Sequence, residues 1–336
     1  MKKLRVGVIG CGRISSMHLV SADALAQAEL VACCDIKKDR ADAAAQKYNI
    51  NAYTSYIEML EKESLDAVHL CLPHYLHTKI ARDCFKYGVN VLSEKPMDID
   101  LESALAAIAD AKARGVLYGV ILQCRYNPSA RLVKSALLSG KLGKIISARS
   151  ILTWKRERDY YSSSDWNGSW EKEGGGVIIN QAIHSVDLVN WMVDCDFESV
   201  SCTMSQHTDK GISVEDTAEG LVTYKNGVKY AFYAMNNYGC DEPIEIRLFC
   251  ENGKVTLDYN NAYIHYNDGT VEEAHLDTAP IQYPNGKVYW GVQHIRQIEQ
   301  FYKACLGLEP LEIDGEEALK THRLVMKMYD VGGMRK

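Results

Sequence analysis

Two hydrophobic periods divide this chain. From Leu4 to Gln123, short apolar runs of strand length ("LRVGVI", "AELVACC", "DAVHLCL", "NVLS", "GVLYGVIL") alternate with segments whose apolar residues recur at helical spacing. Helices are predicted from near Arg13, over "IKKDRADAAAQKY", near Ser55 to Glu63, after "PHYLHT" and over Leu101 to Arg114. Strict alternation of strand and helix predicts a parallel sheet covered on both faces. After Gln123 the pattern changes. "YNPSARLVKSALLSGKLGK" reads as one helix, and from Lys144 the period falls to two, with hairpin turns at "KNG", "ENG" and "NDG". Two late helices, His294 to Leu306 and Glu316 to Asp330, follow. The fold class expected is α/β plus α+β: a doubly wound parallel sheet in residues 1–123, then a domain over 124–336 with an open, mainly antiparallel sheet covered by helices.

One segment departs from simple patterning. "EGGGVIINQAIHSVDLVNWM" follows three glycines with an apolar helix interrupted at Asn180, His184 and Asp187, which fall nearly on one line at 3.6 residues per turn. Ile179, Ala182, Ile183, Val186 and Val189 form the opposite stripe. A polar seam on a buried helix predicts a lined cleft; the alternative is a surface helix whose wet side carries these groups.

Composition narrows the function. With 336 residues, 47% hydrophobic and 24% charged, the chain is long enough for two globular cores. A net charge of -6 and a pI near 6.0 argue against nucleic acid or an anionic membrane surface as the main partner. No apolar run approaches the roughly 20 residues of a membrane span, and "MKKLRVGVIGCG" breaks into glycines too early for a signal-peptide core, so a cytoplasmic protein is expected. The 11 cysteines include no C-x-x-C pair and are read as reduced and structural, with no metal site expected.

The first strand runs through Gly10, Cys11 and Gly12 into a helix. Gly10 permits the tight turn, and Gly12 lets backbone N–H groups approach a pyrophosphate at the helix N-terminus. The third glycine position is Ser15, which loosens the expected packing of helix on strand. Asp35 ends the second strand, 23 residues beyond Gly12, where it would accept hydrogen bonds from a ribose; the alternative is a helix N-cap. Ligands of such sheets lie beyond the carboxyl ends of the strands. Gly10, Gly12, Arg13, Ile14, Asp35, Leu72, Pro73, His77, Glu94, Lys95 and Gln123 are therefore the candidate cofactor contacts. His77 fits a cap or a cofactor wall. Within "SEKP", Lys95 would donate to a substrate hydroxyl and Glu94 would tether it or the cofactor; the alternative is a solvated lysine in a stiff turn. "TWKRERDYYSSSDWNGSWEKEGGG" concentrates tryptophan, tyrosine and arginine, as a sugar-recognising loop or a subunit contact would.

These motifs, in order ("GVIGCGRIS", "EKP", "GGGVIINQAIHSVD" and the closing "DGEEALKTHRLV"), resemble the Gfo/Idh/MocA oxidoreductases along nearly the whole chain. The resemblance implies a Rossmann domain followed by an open-sheet domain, and hydride transfer between NAD(P) and a secondary hydroxyl of a sugar, amino sugar, nucleotide sugar or cyclitol. It implies Lys95 and His184 as the catalytic pair at the substrate hydroxyl, facing the nicotinamide. Tyr126, Arg158, Tyr160, Trp166, Asn180 and Gln181 are the remaining candidate substrate contacts. Many polyol dehydrogenases of the family have Asp where this chain has Asn180, which leaves the general base open between His184 and Lys95. Asp35 and the apolar Ile36 favour NAD, while Lys37 and Lys38 keep NADP in play. A homodimer or homotetramer is expected through the wide sheet, whose face is read as rich in Tyr, Phe and Met. The rival readings are an NAD-dependent glycosidase working by transient oxidation and a non-catalytic dinucleotide sensor.

Overall fold

The apolar run Leu4–Ile9 forms the central strand β1 of a six-stranded parallel sheet, with Val6, Val8 and Ile9 buried on its two faces. The computed structural model of the chain describes residues 3–208, 211–258, 261–275 and 292–334. They fall into two compact units. The first holds residues 3–123 together with 292–319, and the second holds 124–275 and the residues from 320 onward.

In the first unit the order is β1, α1 (Ser15–Ala24), β2 (Ala28–Cys34), α2 (Lys38–Tyr48), β3 (Asn51–Tyr53), α3 (Tyr56–Lys62), β4 (Ala67–Leu70), α4 (His77–Lys86), β5 (Asn90–Ser93), α5 (Leu101–Arg114) and β6 (Tyr118–Val120). The sheet order β3-β2-β1-β4-β5-β6, with every pair parallel, is the doubly wound arrangement. Local chemistry fixes the helix ends. Asp100 caps α5 by accepting from Ser103 N at 2.8 Å, and Gly115 closes it in the left-handed conformation.

Residues 124–336 were expected in one domain, but α9 (His294–Cys305) belongs to the first unit. It packs against α1, where Ile298, Phe301 and Tyr302 join Leu4, Val6, Ala22, Ala28 and Leu92 in one core. Gln297 reaches the end of β6: its Nε2 donates to Val120 O at 2.8 Å and its Oε1 accepts from Leu122 N at 3.0 Å.

The second unit contains α6 (Pro128–Leu138), β7 (Ile145–Thr153), the short α7 (Arg158–Ser162), α8 (Ile183–Val193), β8 (Phe197–Ser205), β9 (Thr217–Tyr224), β10 (Lys229–Met235), β11 (Glu245–Cys250), β12 (Gly253–Asp258), β13 (Asn261–Tyr266) and β14 (Val271–Ala274). Its sheet has the order β14-β13-β12-β11-β7-β10-β9-β8, antiparallel except where β7 lies parallel to β10. The division between units falls within α10 (Gly315–Val331), after Leu319.

One face of this sheet is covered by α8 on β7 and by α6 on β12 to β14. Alternation sends Tyr230 and Phe232 to that covered side, both buried, while Lys229, Ala231 and Tyr233 face outward. The outer face is therefore more polar than its aromatic content suggested: Arg149, Arg247 and Lys254 surround Phe249 there. No helix among the described residues is long and apolar enough to cross a membrane.

Candidate active site

In the first unit, Gly10 adopts φ 95°, and a Cβ added there would stand 2.2 Å from the Cys71 carbonyl oxygen. Only glycine fits between β1 and the turn after β4. At Gly12 the opposite holds, since nothing lies within 4 Å of where a Cβ would project. That open space lies at the start of α1, whose N-cap Ile14 supplies no side-chain hydrogen bond. A cradle that a side chain would fill, beside uncapped helix amides, fits a pyrophosphate. Ile14 packs toward Val8, Leu19 and Cys71, and Arg13 is exposed. Ser15 is buried and donates its hydroxyl to Gly12 O at 2.6 Å, which ties the turn to the helix by a hydrogen bond where glycine would have given close packing.

Asp35 is not the cap of α2, whose N-cap is Lys37. Its Oδ2 accepts from Cys11 N and its Oδ1 from Lys37 N, both at 2.8 Å, so the carboxylate links the glycine turn to the loop after β2. Ile36 beside it is an apolar side chain 87% exposed. Of the two lysines that follow, Lys38 is held by Asp42 at 2.6 Å.

The loops after β4 and β5 are joined by His77. Its Nε2 lies 2.9 Å from Leu72 O and its Nδ1 2.6 Å from Pro96 O, and the ring is fully buried. Where a cap or a cofactor wall was expected, His77 is a brace between two backbone segments; Leu72 and Pro73 remain half-buried at the loop surface. Glu94 also joins backbone to buried side chains. Its carboxylate is 5% exposed and turns inward, with Oε1 3.0 Å from His18 Nε2 and 3.2 Å from His294 Nε2, while Oε2 accepts from Lys95 N at 3.2 Å. It does tether Lys95, through the peptide. Lys95 itself is half-buried, and Gln123 is buried with no partner for Oε1.

In the second unit the glycine run packs against side chains from distant strands and helices. A Cβ at Gly175 would stand 2.0 Å from Tyr329 Oη, and one at Gly176 1.9 Å from Glu215 O. Glu215, fully buried, accepts from Gly176 N (2.8 Å), Ile178 N (3.1 Å) and Tyr329 Oη (2.7 Å). Burial pushes its carboxyl up to about 7, against the pull of these three donors.

The polar seam is not a straight helical line. Residues Ile178–Ala182 form a π-helical turn before α8, a local widening that frequently marks functional sites. Asn180 sits in that turn and donates Nδ2 to Glu173 Oε1 at 2.5 Å and to Tyr160 Oη at 3.1 Å. Gln181 Nε2 donates to the same phenol at 3.0 Å, and Asn236 Nδ2 donates to Gln181 Oε1 at 2.9 Å. Three predicted substrate residues, Tyr160, Asn180 and Gln181, are thus brought together. His184 follows in the first turn of α8.

Asp187 leaves the seam. It is buried, pairs with Arg125 through Nε–Oδ2 at 2.9 Å and Nη2–Oδ1 at 2.7 Å, and accepts from Thr321 Oγ1 at 2.7 Å. The Arg125 guanidinium also lies over Trp191, 5.4 Å from the ring centroid. This pair was missed because Arg125 lies 62 residues away in sequence, in a turn with no periodic signal.

The remaining candidates are dispersed. Tyr126 is buried beneath Arg131, whose guanidinium is 4.5 Å from the ring, while Arg158 opens α7 on the surface and Trp166 is half-buried. The aromatic loop splits between structural and site residues. Arg156 covers Trp154 and pairs with Asp241; Tyr161 packs with Ile212 and Val214; Trp170 bonds Ser213 O and meets Tyr329 edge-on. The missed histidines, His18, His69 and His294, had one available signal: "DAVHLCL" places a histidine inside an otherwise apolar strand.

Comparison with known proteins agrees with this arrangement. Residues 4–122 match the family described as "Oxidoreductase family, NAD-binding Rossmann fold", and residues 130–256 match the "GFO/IDH/MocA C-terminal domain". The chain is 26% identical to myo-inositol 2-dehydrogenase of Thermotoga maritima, over 80% of this chain and 86% of that one. It is 27% identical to D-apiose dehydrogenase of Paraburkholderia graminis, over 98% and 88%. A solved structure of the WlbA dehydrogenase from Bordetella pertussis, in complex with NADH and UDP-GlcNAcA, is similar with a TM-score of 0.85 at 27% identity, covering 98% of this chain and 97% of that one. A glycine turn shaped for a pyrophosphate, the order of its motifs and matches spanning both units make this chain a member of the Gfo/Idh/MocA family of NAD-dependent oxidoreductases.

Proposed function

We propose that the protein oxidises or reduces a secondary hydroxyl position of a sugar, with an amino sugar or nucleotide-linked sugar the favoured class. The observation that carries this reading is the uncharged cluster of Tyr160, Asn180 and Gln181 ahead of His184. Amide and phenol groups discriminate neutral hydroxyls by direction and supply no charge to capture an anion. The N-Q-A-I-H segment resembles that of family members acting on amino sugars and nucleotide-linked sugars, and the similar WlbA dehydrogenase was solved in complex with NADH and UDP-GlcNAcA.

The Gly10–Ile14 turn and Asp35 would hold NAD, which when bound would supply the hydride acceptor or donor. Lys95 and His184 are the proposed proton-handling groups: one takes the hydroxyl proton as the carbon is oxidised and returns it when the ketone is reduced. Asn180 brings no charge of its own, but its amide is fastened to the buried carboxylate of Glu173, which fixes its donor end. Lys95→Ala and His184→Ala should each lower turnover by roughly a hundredfold or more with little change in NAD affinity measured by titration. The test uses a panel of sugars, nucleotide sugars and cyclitols, and wild-type turnover in both variants would overturn the assignment. Glycoside cleavage without accumulation of reduced cofactor would favour the glycosidase reading.

We also infer a homodimer or homotetramer that covers the outer face of the second unit's sheet. Phe249 is 55% and Leu221 39% exposed there, among arginines and a lysine suited to a polar rim. Light scattering giving a monomer at micromolar concentration would contradict it.

A further inference from the structure

Four polar side chains of the first unit have no part in the functional reading, yet they converge on Glu94. His18 comes from α1, His69 from β4, and His294 and Tyr302 from α9; none of them, nor Glu94, is more than 5% exposed. Tyr302 Oη lies 3.1 Å from His69 Nε2, and His69 Nδ1 lies 3.1 Å from His18 Nδ1. His18 Nε2 then meets Glu94 Oε1 at 3.0 Å, and His294 Nε2 meets the same oxygen at 3.2 Å.

The protons in this chain can be placed one by one. Tyr302 must donate its O–H, and among the described residues its hydrogen-bond partner is His69 Nε2, so that nitrogen is an acceptor. His69 then carries its proton on Nδ1 and donates it to His18 Nδ1. His18 must in turn carry its proton on Nε2 and donate to Glu94. With His294 and the Lys95 amide also donating, Glu94 receives three hydrogen bonds and is an acceptor throughout. Every contact is satisfied by a tyrosine, two neutral histidines and one carboxylate, in one direction only.

We propose that this relay holds Glu94 as a fixed buried carboxylate whose second oxygen sets the Lys95 peptide, making Glu94 a positioning residue for Lys95. At the far end of the relay Tyr302 is fully buried, so that end does not open to bulk water. Burial drives His69 well below its ordinary value, which matches the neutral state assigned to it. A metal ion is the competing occupant, because ligand atoms of His18, Glu94 and His294 lie within 4.8 Å of one another. Coordination would strip His18 Nε2 of its proton and reverse the order of both histidines. Tyr302 O–H would then face an N–H with no acceptor, a costly state for a buried hydroxyl.

The kinetic part of the test rests on the catalytic role proposed for Lys95, and the spectroscopic part does not. Two-bond 1H–15N spectra of the full chain near neutral pH should show His18 protonated only at Nε2 and His69 only at Nδ1. An imidazolium at either residue, the reverse tautomers, or stoichiometric metal retained by the purified protein would overturn the relay. Tyr302→Phe removes only the terminal hydroxyl and should move the His69 Nε2 resonance toward that of an acceptor with no donor while both tautomers stay as they are; a His69 Nε2 resonance identical to wild type would also overturn it. Glu94→Gln cannot accept three donors, so kcat should fall roughly tenfold or more while the NAD dissociation constant moves less than about threefold. An unchanged kcat, where Lys95→Ala is inactive, would remove the positioning role; a fully active Lys95→Ala would remove the Lys95 assignment and leave the spectroscopic result standing.

Discussion

Glu94 in the first unit and Glu215 in the second are buried carboxylates that each accept three hydrogen bonds beside a residue run singled out for function. They behave oppositely. Glu94, with two imidazole donors and one amide, is held well below the ordinary carboxyl range, whereas Glu215, with two amides and a phenol, is pushed up to about 7. The number of hydrogen bonds therefore does not fix the charge of a buried acid; the balance between desolvation and the donors' electrostatic pull does. Around Lys95 the polar core keeps one charge state near neutral pH. Around the glycine run it sits near its own midpoint.

The contrast breaks most severely at another buried acid of the second unit. Asp187 pairs with Arg125, both side chains at most 3% exposed, so Asp187→Asn strands a guanidinium in the interior. The expected loss is about 3–5 kcal/mol, read as a fall in denaturation midpoint at unchanged slope. An effect below about 1 kcal/mol would mean that solvent reaches the pair.

A smaller effect sharpens the comparison directly. Because Glu215 is raised from 4.5 in the unfolded chain to about 7 in the folded one, the folded state binds the extra proton between those values. Its contribution to stability is therefore complete below about pH 4.5 and is lost as pH rises through about 7, on the order of 3 kcal/mol in all. Glu94, whose folded value is depressed, has the opposite sign and loses its contribution only at acid pH. Comparing the stability of wild type and Glu215→Gln at several pH values should show the downward slope only in wild type; parallel curves would refute the assignment.

The smallest expected effect tests the first unit alone. Asp35→Ala removes the carboxylate that would repel a 2'-phosphate, and should narrow any preference for NAD over NADP by roughly tenfold in the ratio of dissociation constants. Since Asp35 also accepts from Cys11 N and Lys37 N, some weakening for both cofactors accompanies it. A ratio unchanged from wild type would assign Asp35 to loop architecture only.

What the sequence made legible were features written in short range. The strand Leu4–Ile9 and the helix Leu101–Arg114 follow from apolar runs ended by Gly10, Asp100 and Gly115, where composition and conformation coincide. Asn180, Gln181 and Tyr160 were each read as substrate contacts from the sequence, but that hydrogen bonds join them to one another was not, although polar residues in a buried segment call for partners. The line through Asn180, His184 and Asp187 failed because helical spacing assumes 3.6 residues per turn, and the π turn at Ile178–Ala182 changes it. The histidine relay was hidden for another reason: its members come from residues 18, 69, 94, 294 and 302, and no local pattern joins them. Like the return of α9 to the first unit, it is a property of topology, which periodicity does not encode.

That return also sets an order of synthesis. As the chain leaves the ribosome, Leu4, Val6, Ala22, Ala28 and Leu92 emerge early, but the surface they form is not sealed until Ile298, Phe301 and Tyr302 arrive some two hundred residues later. The nucleotide-binding unit is thus the first to begin folding and among the last to finish. Throughout that interval its sticky face is available to chaperones or to a neighbouring nascent chain, and a messenger truncated before α9 would yield a sheet permanently lacking its cover.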